Sequence, residues 1–178
     1  MHRVERVESM TLPASRQWLL PYHRAIVSSL VPDSDDPEVR DRLVVLAPGL
    51  GLRRIVATLL RVYYSRQNLV LLINASPRDL AGLNHDLGTL GLPHDVVQNL
   101  HHETAAKQRA DAYMAGGILS VTSRILIVDM LAKRIPTSLI TGMVVLHAER
   151  CVFLFSDAVF PPPRSRPLFS AFTGRKTR

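Results

Sequence analysis

The segment from Ala47 to Arg54 lies between an apolar run and a helical pattern, which is where a phosphate-binding loop belongs. A working loop needs glycines that let backbone N–H groups surround phosphates, a Lys for their charge, and a Ser or Thr hydroxyl for Mg²⁺. Gly49 and Gly51 supply the glycines, but Arg53 and Arg54 stand at the Lys and hydroxyl positions. Because an arginine cannot replace the hydroxyl that ligates Mg²⁺, this degenerate loop predicts no bound nucleotide cofactor.

A nucleotide hydrolase also needs an Asp-Glu pair after a later strand, where it holds Mg²⁺ and polarises water. Residues 144–150 are the matching place, and there Leu146 stands at the Asp position and His147 at the Glu position. Glu149 is displaced and is not expected to replace them. Losses in both halves of the site argue against hydrolysis, so no catalytic or metal-binding residue is predicted. A residual nucleotide-binding ATPase remains the alternative.

Strands that would position these loops are predicted from short apolar runs. Runs without polar alternation are typical of strands buried on both faces, as in parallel sheets. Four such runs occur, at residues 43–46, 69–73, 118–121 and 143–146, and residues 94–98 read as a fifth short strand.

Helical patterns alternate with these runs along the chain. Ser76 followed by Pro77 predicts a helix with a Ser cap and Pro at its first position, and Thr104 predicts a second cap. Residues 125–131 fit either a strand or a helix. The alternation predicts an α/β fold, with a parallel sheet covered by helices on both faces.

Composition argues against several kinds of site and favours one kind of partner. The single cysteine, Cys151, excludes an internal disulfide, no Cys/His set has zinc spacing, and the apolar runs are too short for a membrane span. The net charge of +7 favours an acidic partner such as nucleic acid. Five of the basic residues follow Cys151, against Asp157 alone, so much of the excess is read as a solvated tail. Proline-rich residues 161–167 predict no regular element there.

Ordered motifs in this chain resemble the helicase-like domain of the XPF family of DNA-repair endonucleases. The resemblance begins with Ala47-Pro48-Gly49-Leu50-Gly51 and Leu71-Leu72-Ile73-Asn74. It is most distinctive over residues 116–131, around Thr122-Ser123-Arg124-Ile125-Leu126, and over 134–142, which begins with Arg134-Ile135-Pro136. The likeness runs from about Tyr22 to Arg150.

The resemblance implies a single RecA-like, three-layer lobe over residues 21–150, with a flexible segment at 1–20 and a basic, proline-rich tail at 151–178. It also implies a nuclear protein of excision repair, crosslink repair and recombination that binds branched or single-stranded DNA and docks repair scaffold proteins. Thr122, Ser123 and Arg124 match the family's DNA-tracking motif, with an Arg124 side chain packed over the edge of the sheet as the alternative. Asn74 and Ser76 are a second expected phosphate contact, for which a simple helix cap is the alternative.

Two parts of the family pattern are absent from this sequence. The Glu-Arg-Lys motif of the nuclease does not occur, and the C-terminal helix-hairpin-helix region that binds a small dimer partner is missing. Neither nuclease activity nor that partner is therefore expected here.

The change of composition after Arg150 is read as a retained intron or frame change, with a genuine divergent tail as the competing interpretation. The first hypothesis is therefore a non-catalytic DNA- and partner-binding module. Its other rival is a truncated or mis-spliced product without independent function.

Overall fold

The computed structural model of the chain describes residues 18–31, 42–47, 49–65, 67–135, 137–147 and 168–173. Six strands in these residues form one sheet: β1 (Arg42–Leu46), β2 (Leu69–Ile73), β3 (Val97–Leu100), β4 (Gly117–Val121), β5 (Ile140–Val145) and β6 (Leu168–Thr173). All neighbouring pairs are parallel, in the order β1-β6-β5-β2-β4-β3. The predicted parallel sheet is confirmed.

Among the described residues, five helices connect or flank the strands: α1 (Pro21–Leu30), α2 (Leu52–Tyr63), α3 (Pro77–Thr89), α4 (Ala106–Ala115) and α5 (Ser123–Leu131). A short 3₁₀ turn at Thr137–Leu139 leads into β5. Within the described residues, no helix is long and apolar enough to cross a membrane.

Strand β2 lies at the centre of the fold, and all five of its residues are buried. Alternate side chains of a strand point to opposite faces, and here they divide between two cores. Val70 and Leu72 pack with α1, α2 and α3, whereas Leu71 and Ile73 pack with α4 and α5. Helices therefore cover both faces of the sheet, which confirms the predicted three-layer α/β class.

Several local predictions need correction. The short strand lies at Val97–Leu100 rather than 94–98, and the ambiguous segment 125–131 belongs to helix α5. Thr104 is not the cap of α4, which begins at Ala106. Its hydroxyl instead contacts the backbone and ring of His101. The α3 cap at Ser76 is confirmed.

The largest correction concerns the C-terminal segment. Strand β6, at residues 168–173, was not predicted: it follows the proline-rich residues 161–167, lies inside the sheet and pairs with both β1 and β5. The sequence there, Leu-Phe-Ser-Ala-Phe-Thr, is a short run rich in strand-forming residues. Its position directly after a Pro- and Arg-rich stretch concealed this signal. The proline-rich residues 161–167 lie outside the described residues.

Candidate functional site

Side chains of helix α1 pack against the degenerate phosphate loop at Leu50 and Gly51. His23 is buried and its Nδ1 accepts a hydrogen bond from the Leu20 N–H, so its Nε2 carries the proton and donates to the Leu50 carbonyl at 3.0 Å. The Tyr22 hydroxyl donates to the same carbonyl at 3.2 Å. Gly51 adopts a φ of +73°, and a Cβ placed there would lie 2.6 Å from His23 Nε2. An imidazole of α1 thus packs against the backbone of this loop.

The two arginines of the loop are bound to other parts of the structure. Arg53 Nε lies 2.6 Å from Asp86 Oδ2 on α3, an ion pair between neighbouring helices. Arg54 donates to the Trp18 carbonyl at 3.3 Å, and its guanidinium lies 5.4 Å from the centroid of the Trp18 ring. Both arginines, which the sequence places in a degenerate phosphate loop together with Gly49 and Gly51, thus make contacts with other parts of the structure.

A second candidate region lies where the neighbouring strands β2, β4 and β5 end. Ligands of parallel α/β sheets bind outside the carboxyl ends of the strands. Asn74, directly after β2, donates its N–H to the Val121 carbonyl, and its Oδ1 accepts a hydrogen bond from the Ser123 N–H at 3.1 Å. The structure therefore brings the predicted 74–76 segment and the predicted 122–124 segment together, and we call this region the strand-end edge.

Ser76 acts as the N-cap of α3. Its hydroxyl oxygen accepts the Asp79 N–H, while the Ser76 N–H and hydroxyl donate to Asp79 Oδ2 at 2.9 and 2.6 Å. This reciprocal arrangement is a capping box. The cap that the sequence offered as an alternative is thus formed, and an additional contact of Ser76 with a phosphate stays a prediction.

Thr122, Ser123 and Arg124 form the start of helix α5. The Thr122 hydroxyl accepts the Ile125 N–H and caps the helix, while the Ser123 N–H is bound by Asn74. Arg124 is exposed, and among the described residues it forms no hydrogen bond or ion pair. Of the five predicted DNA-contacting residues, Arg124 therefore has the side chain most available to a phosphate in solution.

His147 joins the strand-end edge from the end of β5. Its Nε2 lies 3.0 Å from Asp79 Oδ2 and donates to that oxygen. Partial burial alone would raise the pKa of Asp79, but hydrogen bonds from Ser76 and His147, and the charge of His147, hold that pKa below its ordinary value. The sequence identified His147 only as the loss of a catalytic Glu, because the position of its partner on α3 is not visible in sequence spacing.

Sequence reasoning also missed a buried ionic cluster beside this edge, centred on Asp129 of α5. Arg109 binds both carboxylate oxygens at 2.7 and 2.8 Å, the Tyr113 hydroxyl donates at 3.0 Å, and Arg134 donates at 2.9 Å. Burial alone would raise the pKa of Asp129, but these donors together lower it. A single Asp within an apolar helix was the signal that could have revealed the cluster.

The Asp129 cluster fixes helix α5 to α4 and to the turn before β5. It is a packing device rather than a ligand site, because Asp129 is fully buried and its donors are directed at it. In the described part of the chain, no group of three His, Cys, Asp or Glu side chains could hold a metal ion.

Comparison with curated proteins gives consistent relatives. The chain is 36% identical over 159 residues to the DNA repair endonuclease XPF of Cricetulus griseus, an alignment that covers 87% of the chain and 16% of that protein. It is 35% identical to the DNA repair protein rad16 of Schizosaccharomyces pombe, over 75% of the chain and 14% of that protein. It is 32% identical to the DNA repair protein RAD1 of Saccharomyces cerevisiae, over 79% and 14% respectively. No protein-family model matches the chain.

These alignments also show how much of the chain and of each relative is shared. The alignment of 159 residues is longer than the range 22–150 that carries the resemblance in sequence, so the likeness reaches past that range. The chain spans about a sixth of the length of these relatives.

A solved structure agrees on the fold. The Pyrococcus furiosus Hef helicase domain superposes with a TM-score of 0.64 at 18% identity, over 88% of this chain and 33% of that one. This likeness supports the RecA-like arrangement of the sheet and helices. By sequence, most of the chain is homologous to a part of the XPF, rad16 and RAD1 DNA-repair proteins, and that part has the fold of a helicase domain.

Proposed function

We propose that this chain is a non-catalytic, helicase-like module of an XPF-type structure-specific endonuclease, and that it binds branched or single-stranded DNA in the nucleus. A role in DNA repair agrees with the names of its relatives, which are DNA repair proteins and endonucleases. Excision repair, crosslink repair and recombination, and the docking of repair scaffold proteins, are parts of the same proposal. A lobe over residues 21–150 followed by a tail at 151–178 is part of the same proposal, and the tail contributes strand β6 to the sheet of the lobe.

The observation that carries this proposal is the exposed Arg124 at the start of α5. Phosphate contacts from arginine, hydroxyl groups and helix N-termini position proteins on nucleic acid without reading its sequence. Arg124 follows Thr122 and Ser123 on the first turn of α5, so a guanidinium and two hydroxyl groups stand at one helix N-terminus. DNA binding here would therefore depend on backbone charge.

The filled phosphate loop argues against the alternative of a residual ATPase. His23 packs against Gly51, and Arg53 and Arg54 are bound to α3 and to Trp18. A phosphate that approached the backbone at Gly51 would have to displace His23 of α1. Mg-ATP should therefore leave the melting temperature of the chain unchanged, since only a ligand that binds the folded state raises it.

The proposal is tested by equilibrium binding of the chain to a labelled single-stranded oligonucleotide and to a forked duplex at several salt concentrations. Affinity should fall steeply as salt rises, with a logarithmic slope of about −0.7 per neutralised phosphate on single strands. Absence of binding at low salt, or an affinity independent of salt, would contradict the proposal. A chain without independent function would show that first outcome together with aggregation.

A further inference from the structure

At the strand-end edge, a chain of hydrogen bonds connects the end of β5 to the first turn of α5. His147 donates to Asp79 Oδ2, and the same oxygen accepts the N–H and hydroxyl of Ser76. Two residues before Ser76, Asn74 adopts a φ of +59° and accepts the N–H of Ser123 through its side chain. Arg124 is the next residue. Segment 74–79 is thus held from both sides, by β5 through His147 and by α5 through Ser123.

We infer that His147 is a positioning residue for DNA binding, which acts through Asp79, the 74–76 segment and Asn74 to set the first turn of α5 and its Arg124. A nucleotide hydrolase has at this position a Glu that polarises water. Here the imidazole is directed at the cap of a neighbouring helix. At the end of β5, His147 therefore stands where a hydrolase has a catalytic carboxylate. Its hydrogen bond to Asp79 supports the two loops that are proposed to contact nucleic acid. This inference rests on the proposed DNA binding.

The short distances of the individual hydrogen bonds support a mechanical coupling between His147 and the first turn of α5, which we call the relay. Asp79 Oδ2 is approached by three donors within 3.0 Å, and the pKa of Asp79 is lowered by them, so the carboxylate is charged at neutral pH. Hydrogen bonds to charged groups are among the stronger ones in proteins. The Asn74 backbone is also bound, through its N–H, to the Val121 carbonyl at the end of β4. A shift of segment 74–79 would therefore be transmitted to the turn at residues 122–124.

A double-mutant cycle on DNA affinity tests the relay directly, with a labelled oligo-dT strand as the probe. His147→Ala should weaken binding by about three- to tenfold, the effect expected when one charge-assisted bond that orders a contact is lost. His147→Gln should recover most of the affinity because its side-chain amide retains an N–H donor. In the Arg124→Ala background, His147→Ala should have little further effect, since the contact that it positions is already gone. His102→Ala, at an exposed histidine, is the matched control for loss of an imidazole.

Two results of this mutant cycle would overturn the inference. One is an unchanged affinity of His147→Ala while the parent chain binds DNA. The other is a loss that adds fully to that of Arg124→Ala, which would mean that His147 contributes by its own charge or only through stability. A loss of melting temperature without a change in affinity belongs to the first of these results.

Hydrogen exchange gives a measurement that does not require DNA. His147→Ala should accelerate exchange of the Ser123 amide, which Asn74 binds, while amides at the far end of α5 remain protected. An unchanged Ser123 amide would overturn the relay even in a chain that binds DNA. If the parent chain fails to bind DNA but the Ser123 amide responds, the brace exists and the proposed function is what has failed.

Discussion

The loop after β1 and the strand-end edge after β2, β4 and β5 lie along the same side of one parallel sheet, yet their arginine side chains differ in the contacts that they make. The loop is filled by His23, its carbonyl at Leu50 is bound twice by α1, and its arginines are paired elsewhere. At the edge, the side chains of Asn74 and Asp79 accept hydrogen bonds from Ser123 and His147. The side chain of Arg124 is exposed to solvent. The difference indicates that the arginines of the loop take part in packing contacts, while the edge keeps a cation without a partner among the described residues.

The largest effect is expected from removal of β6. This strand lies between β1, which precedes the loop, and β5, which ends at the edge. Strand β1 pairs with β6, and β6 pairs with β5. A chain that ends at residue 167 should lose cooperative unfolding and aggregate, because the edges of β1 and β5 would be exposed. A chain that ends at residue 173 is the control and should unfold as the parent does. Equal stability of the two by urea denaturation and circular dichroism would contradict the assignment of β6.

The next largest effect is expected in the Asp129 cluster beside the edge. Asp129→Asn leaves Arg109 and Arg134 without their carboxylate, and breaking a buried ion pair typically costs ~3–5 kcal/mol. The free energy of unfolding should fall by that amount in denaturant titrations. Asp111→Asn, at an exposed carboxylate on α4, is the matched control and should stay within ~0.5 kcal/mol. Similar effects from the two substitutions would show that the Asp129 cluster does not hold α5.

A smaller effect separates backbone strain from steric contact at the loop. Gly49 and Gly51 both have positive φ, but a Cβ meets nothing within 4 Å at Gly49 and His23 at 2.6 Å at Gly51. Gly49→Ala should cost ~1–2 kcal/mol from backbone conformation alone. Gly51→Ala should cost ~1–3 kcal/mol more because of overpacking, and His23→Ala should relieve that extra cost in the double variant. Equal costs at the two glycines in thermal unfolding would mean that α1 does not fill the loop.

Acid should weaken the edge and the neighbouring Asp129 cluster. The pKa values of Asp79 and Asp129 are held below their ordinary value of 3.8, so their contribution to stability is present above that pH and is lost as pH falls towards the lower folded values. The free energy of unfolding should therefore decrease below pH ~4, and the decrease should be shallower in Asp129→Asn. A parent chain that is as stable at pH 3 as at pH 7 would contradict these lowered values.

The sequence specified much of the fold, because buried parallel strands are read from short apolar runs such as residues 69–73, and because Ser76-Pro77 is a strong local start for a helix. It was weak wherever the outcome depends on contacts between distant segments. Strand β6 was concealed by its neighbours in sequence, and the pairs His23–Leu50, His147–Asp79 and Arg109–Asp129 have no fixed spacing. The residues of the edge were identified through the resemblance to a family, whereas which of them is available to a ligand required the structure.

The central claim, that the edge rather than the loop offers a cation to DNA, is tested most directly by comparing Arg124→Ala with Arg53→Ala in salt-dependent binding to single-stranded DNA. The two variants lose the same charge, so non-specific electrostatics alone would affect them equally. We expect Arg124→Ala to weaken binding by about three- to tenfold and to reduce the salt slope by about one contact, with Arg53→Ala close to the parent chain. Equal losses, or a larger loss for Arg53→Ala, would contradict the account.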